Sequence, residues 1–199
     1  MTDTAEARLE QQLDFLMAVE PLRRVERRSP VIGAGRKENS GEHSWHVALL
    51  AWLTAEHANE PIDTAKVIAM LLLHDIGEVE VGDVMIYDTE ARAAHEEAER
   101  AAVRRLAATL PDDQRRRVID LWEEFEAAET PEARFAKAMD RLQPMLLNYH
   151  SGGAAWTENG IRAAQVTQVN AVIARGSETL WTRAKRLIGD AVTKGFLKT

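Results

Sequence analysis

The sequence predicts an all-α fold, a single domain of roughly eight helices. Three observations predict it. Apolar residues recur at helical spacing, Pro and Gly fall mostly between the periodic segments, and strand-like alternation is scarce. The 199 residues show no internal repeat, low-complexity linker or composition shift, and their length suffices to bury one core.

Helices are expected near 5–20, 41–58, 63–77, 91–109, 113–128, 132–150, 159–174 and 178–195. The first lies in "MTDTAEARLEQQLDFLMAVE", which is acidic and lacks a basic start followed by an apolar run, so no signal peptide is expected. Next comes "PLRRVERRSPVIGAGRKENS" at 21–40, which Pro and Gly keep from forming one continuous helix. It concentrates Arg23, Arg24, Arg27, Arg28, Arg36 and Lys37, either as a solvated loop or as an anion-binding one. The second helix has Asn39 as cap and Glu42 three residues on, close to a capping box. Pro61 precedes the third, whose run from Val67 to Leu73 is apolar in every direction and predicts burial all round. The charge-rich stretch 91–117 reads as a solvated helical face, interrupted by "LPDD" at 110–113. "TPE" opens the sixth helix, with Thr130 as cap, Pro131 at the first helical position and Glu132 at the positive dipole end. "HSGG" at 150–153 closes it, and two C-terminal helices follow, with Trp156 just before the first and Trp181 in the second.

Several chemistries are excluded. There is no cysteine, hence no disulfide, iron–sulfur cluster, thiolate zinc site or Cys nucleophile. A net charge of −7 argues against a nucleic-acid polymer as partner, although a few local arginines could hold a single phosphate. The longest apolar runs fall far short of the ~20 residues that span a bilayer, so a cytoplasmic protein is expected.

The stretch "MLLLHDIGE" drives an apolar helix into His74, Asp75 and Glu78. An unpaired buried charge is costly, so these groups need a partner. They converge if the helix persists to Glu78. His43 lies in the first turn of its helix, in line with Val47 and Leu50, with His46 as a rival or added ligand. His57 is about 21 Å further along, too far to share a site. Asp140 borders the stripe Phe135, Met139, Leu142, Leu146 and Tyr149. Pro144 cannot bond the Asp140 carbonyl, which predicts a kink there. Two imidazoles and two carboxylates suit a divalent cation such as Mn²⁺, Fe²⁺, Co²⁺, Ni²⁺, Zn²⁺ or Mg²⁺.

The segments "RKENSGEHSWHVAL", "LLLHDIGEVEVGD" and "AKAMDRLQPML", in that order, resemble the HD-domain metal-dependent phosphohydrolases, in the branch that contains bacterial 5′-deoxynucleotidases. The resemblance implies His43, His74, Asp75 and Asp140 as metal ligands and Glu78 as general acid/base. It implies Asp83 as the acidic residue that orients the nucleotide. Arg27 or Arg28, together with Arg36, would hold the phosphate, and Tyr87 is a further candidate substrate contact. In that branch an aromatic residue follows the loop arginine. Here Arg28 and Ser29 stand in the two candidate positions, leaving the sugar preference open. The implied activity is hydrolysis of (deoxy)nucleoside 5′-monophosphates by one divalent metal per chain, in a homodimer. The alternatives are another phosphate ester or nucleotide as substrate, a di-iron oxygenase, or a non-catalytic helical binding module. His95 reads as an exposed helix residue, and the five tryptophans as core or dimer contacts.

Overall fold

The structure, a computed structural model, describes residues 2–84 and 89–199. It is helical apart from one small sheet. In chain order the helices are α1 (Thr2–Val19), α2 (Ser40–Thr54), α3 (Thr64–Leu73), α4 (Glu78–Val81), α5 (Thr89–Ala107), α6 (Asp112–Ala127), α7 (Pro131–His150), α8 (Ala154–Glu158), α9 (Ala163–Asn170), α10 (Ile173–Gly176) and α11 (Glu178–Thr193). Strands β1 (Glu26–Val31) and β2 (Arg36–Asn39) form an antiparallel hairpin.

The centre of the molecule is α7. It packs against α2, α3, α6, α10 and α11, burying Phe135, Met139 and Leu142 against Val47, Val67, Met70 and Leu71. Its start follows the sequence signals: the Thr130 hydroxyl accepts from the Ala133 amide at 3.2 Å, with Pro131 in the first turn. The helix continues through Pro144 to His150, and the Asn148 side chain donates to the Pro144 carbonyl at 3.0 Å. The start of α2 is a full capping box. The Asn39 side chain accepts from the Glu42 amide, and the Glu42 carboxylate accepts from the Asn39 amide. Trp122, Trp156 and Trp181 are buried in the core, whereas Trp45 and Trp52 are exposed on α2.

Four expectations are corrected. The basic segment 21–40 is largely a hairpin rather than a loop. Pro30 is accommodated because a two-stranded sheet has free edges, and Gly33 and Gly35 supply the left-handed turn residues. The third helix stops at Leu73, and four i to i+3 bonds within Leu73–Glu80 form a tight turn leading into α4. That helix is not buried all round, since Leu72 is 50% exposed. The span 159–174 divides into α9 and α10, where the Asn170 side chain takes the Val166 carbonyl at the helix end.

Candidate metal centre and cleft

The capping box fixes where α2 begins and so sets His43 in its first turn, fully buried. His74 is the first residue past α3. Its Nδ1 donates to the Leu71 carbonyl at 2.8 Å, since a carbonyl can only accept. Nε2 therefore faces inward, buried and without a partner in hydrogen-bond geometry. From α6, the Trp122 indole N–H donates to the His74 carbonyl at 3.0 Å and pins the turn.

Among the described residues, ligand atoms of His43, His74 and Asp75 lie within 4.8 Å of one another. Asp140 joins them: its Oδ1 is 3.1 Å from His43 Nε2 and 3.6 Å from His74 Nε2. Asp75 Oδ1 is 3.1 Å from His74 Nε2. This N₂O₂ donor set, with an orphaned imidazole nitrogen at its centre, fits a divalent cation. The field does too. Burial pulls the His74 imidazole down, yet Asp75 and Asp140 outweigh it and raise it to about 10. Burial opposes ionisation of Asp75, but His74 and Arg27 hold it well below the usual carboxylate range. Asp140 is likewise held low, against its burial, by Arg141 and the two imidazoles.

Arg27, on β1, enters this acidic group. Its Nη1 is 2.7 Å from Asp75 Oδ2, 3.6 Å from Glu78 Oε1 and 3.7 Å from Asp83 Oδ1. Burial alone would lower the guanidinium; these carboxylates raise it further. Glu78, the first residue of α4, accepts from the Ser40 hydroxyl at 2.5 Å. Burial first, then Asp75 and Asp83, push it up to about 9 despite Arg27. Arg28 is exposed and lines the mouth of the cleft. Arg36 is not brought to this group: it binds both oxygens of Glu42 at 2.5 and 2.8 Å on the surface, bracing the α2 capping box. Tyr87 lies outside the described residues. His46 is no member of the cluster, and its Nδ1 meets the Gln143 amide at 3.1 Å.

The group opens into a cleft of about 410 Å³, lined further on by Glu99, Lys137, Arg141, Asn148 and Trp156. Two of its residues overturn the reading of 91–117 as a solvated face. His95 is half-buried, with Nε2 2.9 Å from the Gly82 carbonyl beside Asp83. Glu99 is pushed up to about 8 by burial, Asp75 and Glu126. The available signal was the stripe His95, Glu99, Ala102, Val103 and Leu106, at helical spacing beneath the charges. Gly77 lets α5 approach, because a Cβ there would lie 2.5 Å from Glu99 Cγ and 2.9 Å from its carbonyl oxygen.

Residues 19–181 match the HD domain family. The chain is 33% identical over 135 residues to the 5′-deoxynucleotidase HDDC2 of Xenopus laevis, and 32% identical over 136 residues to that of Bos taurus. The alignments cover 67% of this chain, and 66% and 64% of those relatives, so it spans about two thirds of their length. A solved structure from Magnetospirillum magnetotacticum, titled a predicted metal-dependent phosphohydrolase, superposes with a TM-score of 0.91 at 40% identity, covering 97% of this chain and 100% of that one. An HD-domain phosphohydrolase from Listeria innocua shares the fold, with a TM-score of 0.67 at 17% identity, covering 92% of this chain and 90% of that one.

Proposed function

Because the chain belongs to the HD domain family, we propose that it hydrolyses (deoxy)nucleoside 5′-monophosphates to nucleoside and phosphate, using one divalent cation per chain. The observation that carries this reading is the convergence of His43, His74, Asp75 and Asp140 around the orphaned His74 Nε2, with Arg27 alongside. The names of the matched relatives favour a nucleotide as substrate. The donors are harder than thiolates and suit Mn²⁺, Co²⁺, Fe²⁺, Ni²⁺, Zn²⁺ or Mg²⁺.

His43, His74, Asp75 and Asp140 would hold the cation, which neutralises phosphoryl charge and acidifies bound water. Arg27 offers its guanidinium fork to phosphate oxygens, as its planar donors suit. Glu78, pushed up to about 9 in the metal-free site by burial and Asp75, would serve as the general acid/base that handles the proton of water or the leaving 5′ oxygen, with the Ser40 hydroxyl orienting it. Asp83, 3.7 Å from the same Arg27 Nη1, would be the acidic residue that orients the nucleotide. Arg28 at the mouth serves as a steering charge.

A cytoplasmic homodimer completes the proposal. No helix among the described residues is long and apolar enough to cross a membrane. The exposed Leu9, Leu13 and Leu16 of α1, spaced as a seam, and Trp45 and Trp52 of α2 are the apolar surface such a dimer would cover. Light scattering on the purified protein tests the dimer. The activity is tested by phosphate release across a panel of deoxy- and ribonucleoside monophosphates with Mn²⁺ or Co²⁺. The proposal expects turnover that EDTA abolishes; no release with any metal contradicts it.

A further inference from the structure

Behind His43 a buried polar chain continues. Gln143, 1% exposed on α7, places Oε1 3.0 Å from His43 Nδ1. Its Nε2 lies 3.0 Å from Glu38 Oε2 and 3.1 Å from His46 Nδ1. Glu38 comes from β2 and is itself buried.

The donor and acceptor inventory admits one polarity. A carboxylate only accepts, so the amide atom facing Glu38 must be nitrogen. The second amide hydrogen then goes to His46, whose Nδ1 is the bare nitrogen. Gln143 Oε1 is thereby turned to His43, where it can only accept. Reversing the amide would set oxygen against carboxylate in a buried site and leave both unsatisfied.

We propose that Glu38 and Gln143 are positioning residues that fix the tautomer of His43, so that Nδ1 keeps its proton and Nε2 faces the cation. This rests on the metal-site reading above. Any proton on Nε2, 3.1 Å from Asp140, is the one a cation displaces. His74 is set by a simpler device, the Leu71 carbonyl behind its Nδ1. Both imidazoles thus present Nε2, one held by backbone and the other by a glutamine whose direction depends on Glu38. His46 acquires a role as an acceptor in this chain rather than as a ligand.

The test combines Zn²⁺ affinity, measured by chelator competition, with ¹⁵N NMR of the histidine rings. In wild type, His43 should show a protonated Nδ1 in the Zn²⁺-loaded protein, and in metal-free protein at a pH where the ring is neutral. Gln143→Leu and Glu38→Gln should each lose about 10- to 100-fold in Zn²⁺ affinity. The exchanged pair, Glu38→Gln with Gln143→Glu, should recover to within about threefold of wild type, because the new amide donates to the new carboxylate and that carboxylate accepts from His43. Glu38 Oε1 also lies 3.8 Å from Arg27 Nε and 3.6 Å from His43 Nδ1, but the exchanged pair removes the carboxylate at 38 as Glu38→Gln does, so any gain over Glu38→Gln comes from position 143. The proposal falls if His43 Nδ1 is the bare or metal-bound nitrogen in wild type, if the single variants bind as wild type does, or if the exchanged pair is no better than the singles. Should wild type bind no Zn²⁺, the metal reading fails separately, and the metal-free spectrum still decides the tautomer.

Discussion

Arg27 holds Asp75 through a 2.7 Å contact from Nη1, while the next residue, Arg28, turns outward to the cleft mouth. The two differ in burial, not in the cleft they line: within the irregular stretch of β1 between Glu26 and Pro30, Arg27 enters the acidic group and Arg28 stays exposed.

The consequence for mutation is asymmetric. Arg27→Ala should cut kcat/KM at least about 100-fold, as loss of a buried charge-assisted phosphate contact does. It should also lower the stability of metal-free protein by about 3 kcal/mol, because the buried Asp75 carboxylate, with Asp83, loses its shared cation. Arg28→Ala should change stability by less than about 0.5 kcal/mol and activity by a few-fold. Steady-state kinetics and urea melts check both, and equal effects at the two positions would remove Arg27 from its assigned place.

Gly77→Ala should destabilise the protein by about 1–3 kcal/mol, since α5 must withdraw from the turn that carries His74 and Asp75. In a protein of this size that is several degrees of Tm. Calorimetry that found the variant unchanged would show that α5 does not press on the turn.

Stability of the metal-free protein should depend on Glu99. Its pKa in the fold, about 8, exceeds the ordinary value of 4.5, so between these pH values the folded state binds the extra proton. The Glu99 contribution is then full below about pH 4.5 and is lost as pH rises toward 8. The effect is on the order of 5 kcal/mol. Glu78, raised to about 9, and His74, raised to about 10, share part of that window, so Glu99→Gln should flatten the decline rather than abolish it. Melting curves of chelated wild type and variant from pH 5 to 9 check this, and parallel profiles would contradict it.

Chelation should lower Tm and added Co²⁺ or Mn²⁺ should restore it. Binding to the folded state alone contributes about 2.7 kcal/mol at a hundredfold excess over Kd. Asp140→Asn should blunt the restoration. Identical melts with and without EDTA would argue that no cation is held.

The parts legible in the sequence were those set by neighbours along the chain. The capping box at Asn39 and Glu42, and the Thr130–Pro131 start of α7, are local signals, so the places of His43 and Asp140 followed from them. The hairpin was hidden because pairing of Glu26–Val31 with Arg36–Asn39 is decided between strands, and the Pro and Gly residues of 21–40 speak only against a continuous helix. The stop at Leu73 has no breaker beside it; the turn is held by Trp122 and by close packing of α5 on Gly77, both distant in sequence. Glu99 was masked by the exposed charges around it on the same helix, and Gln143 by being a neutral polar residue with no motif. Their roles depend on partners from other elements, Glu126 in one case and Glu38 with His46 in the other.

The most direct test is anomalous diffraction from crystals grown with Mn²⁺ or Co²⁺. The account predicts a single strong peak per chain, about 2.0–2.3 Å from Nε2 of His43, Nε2 of His74 and carboxylate oxygens of Asp75 and Asp140. No peak there, or one held by other residues, would contradict it.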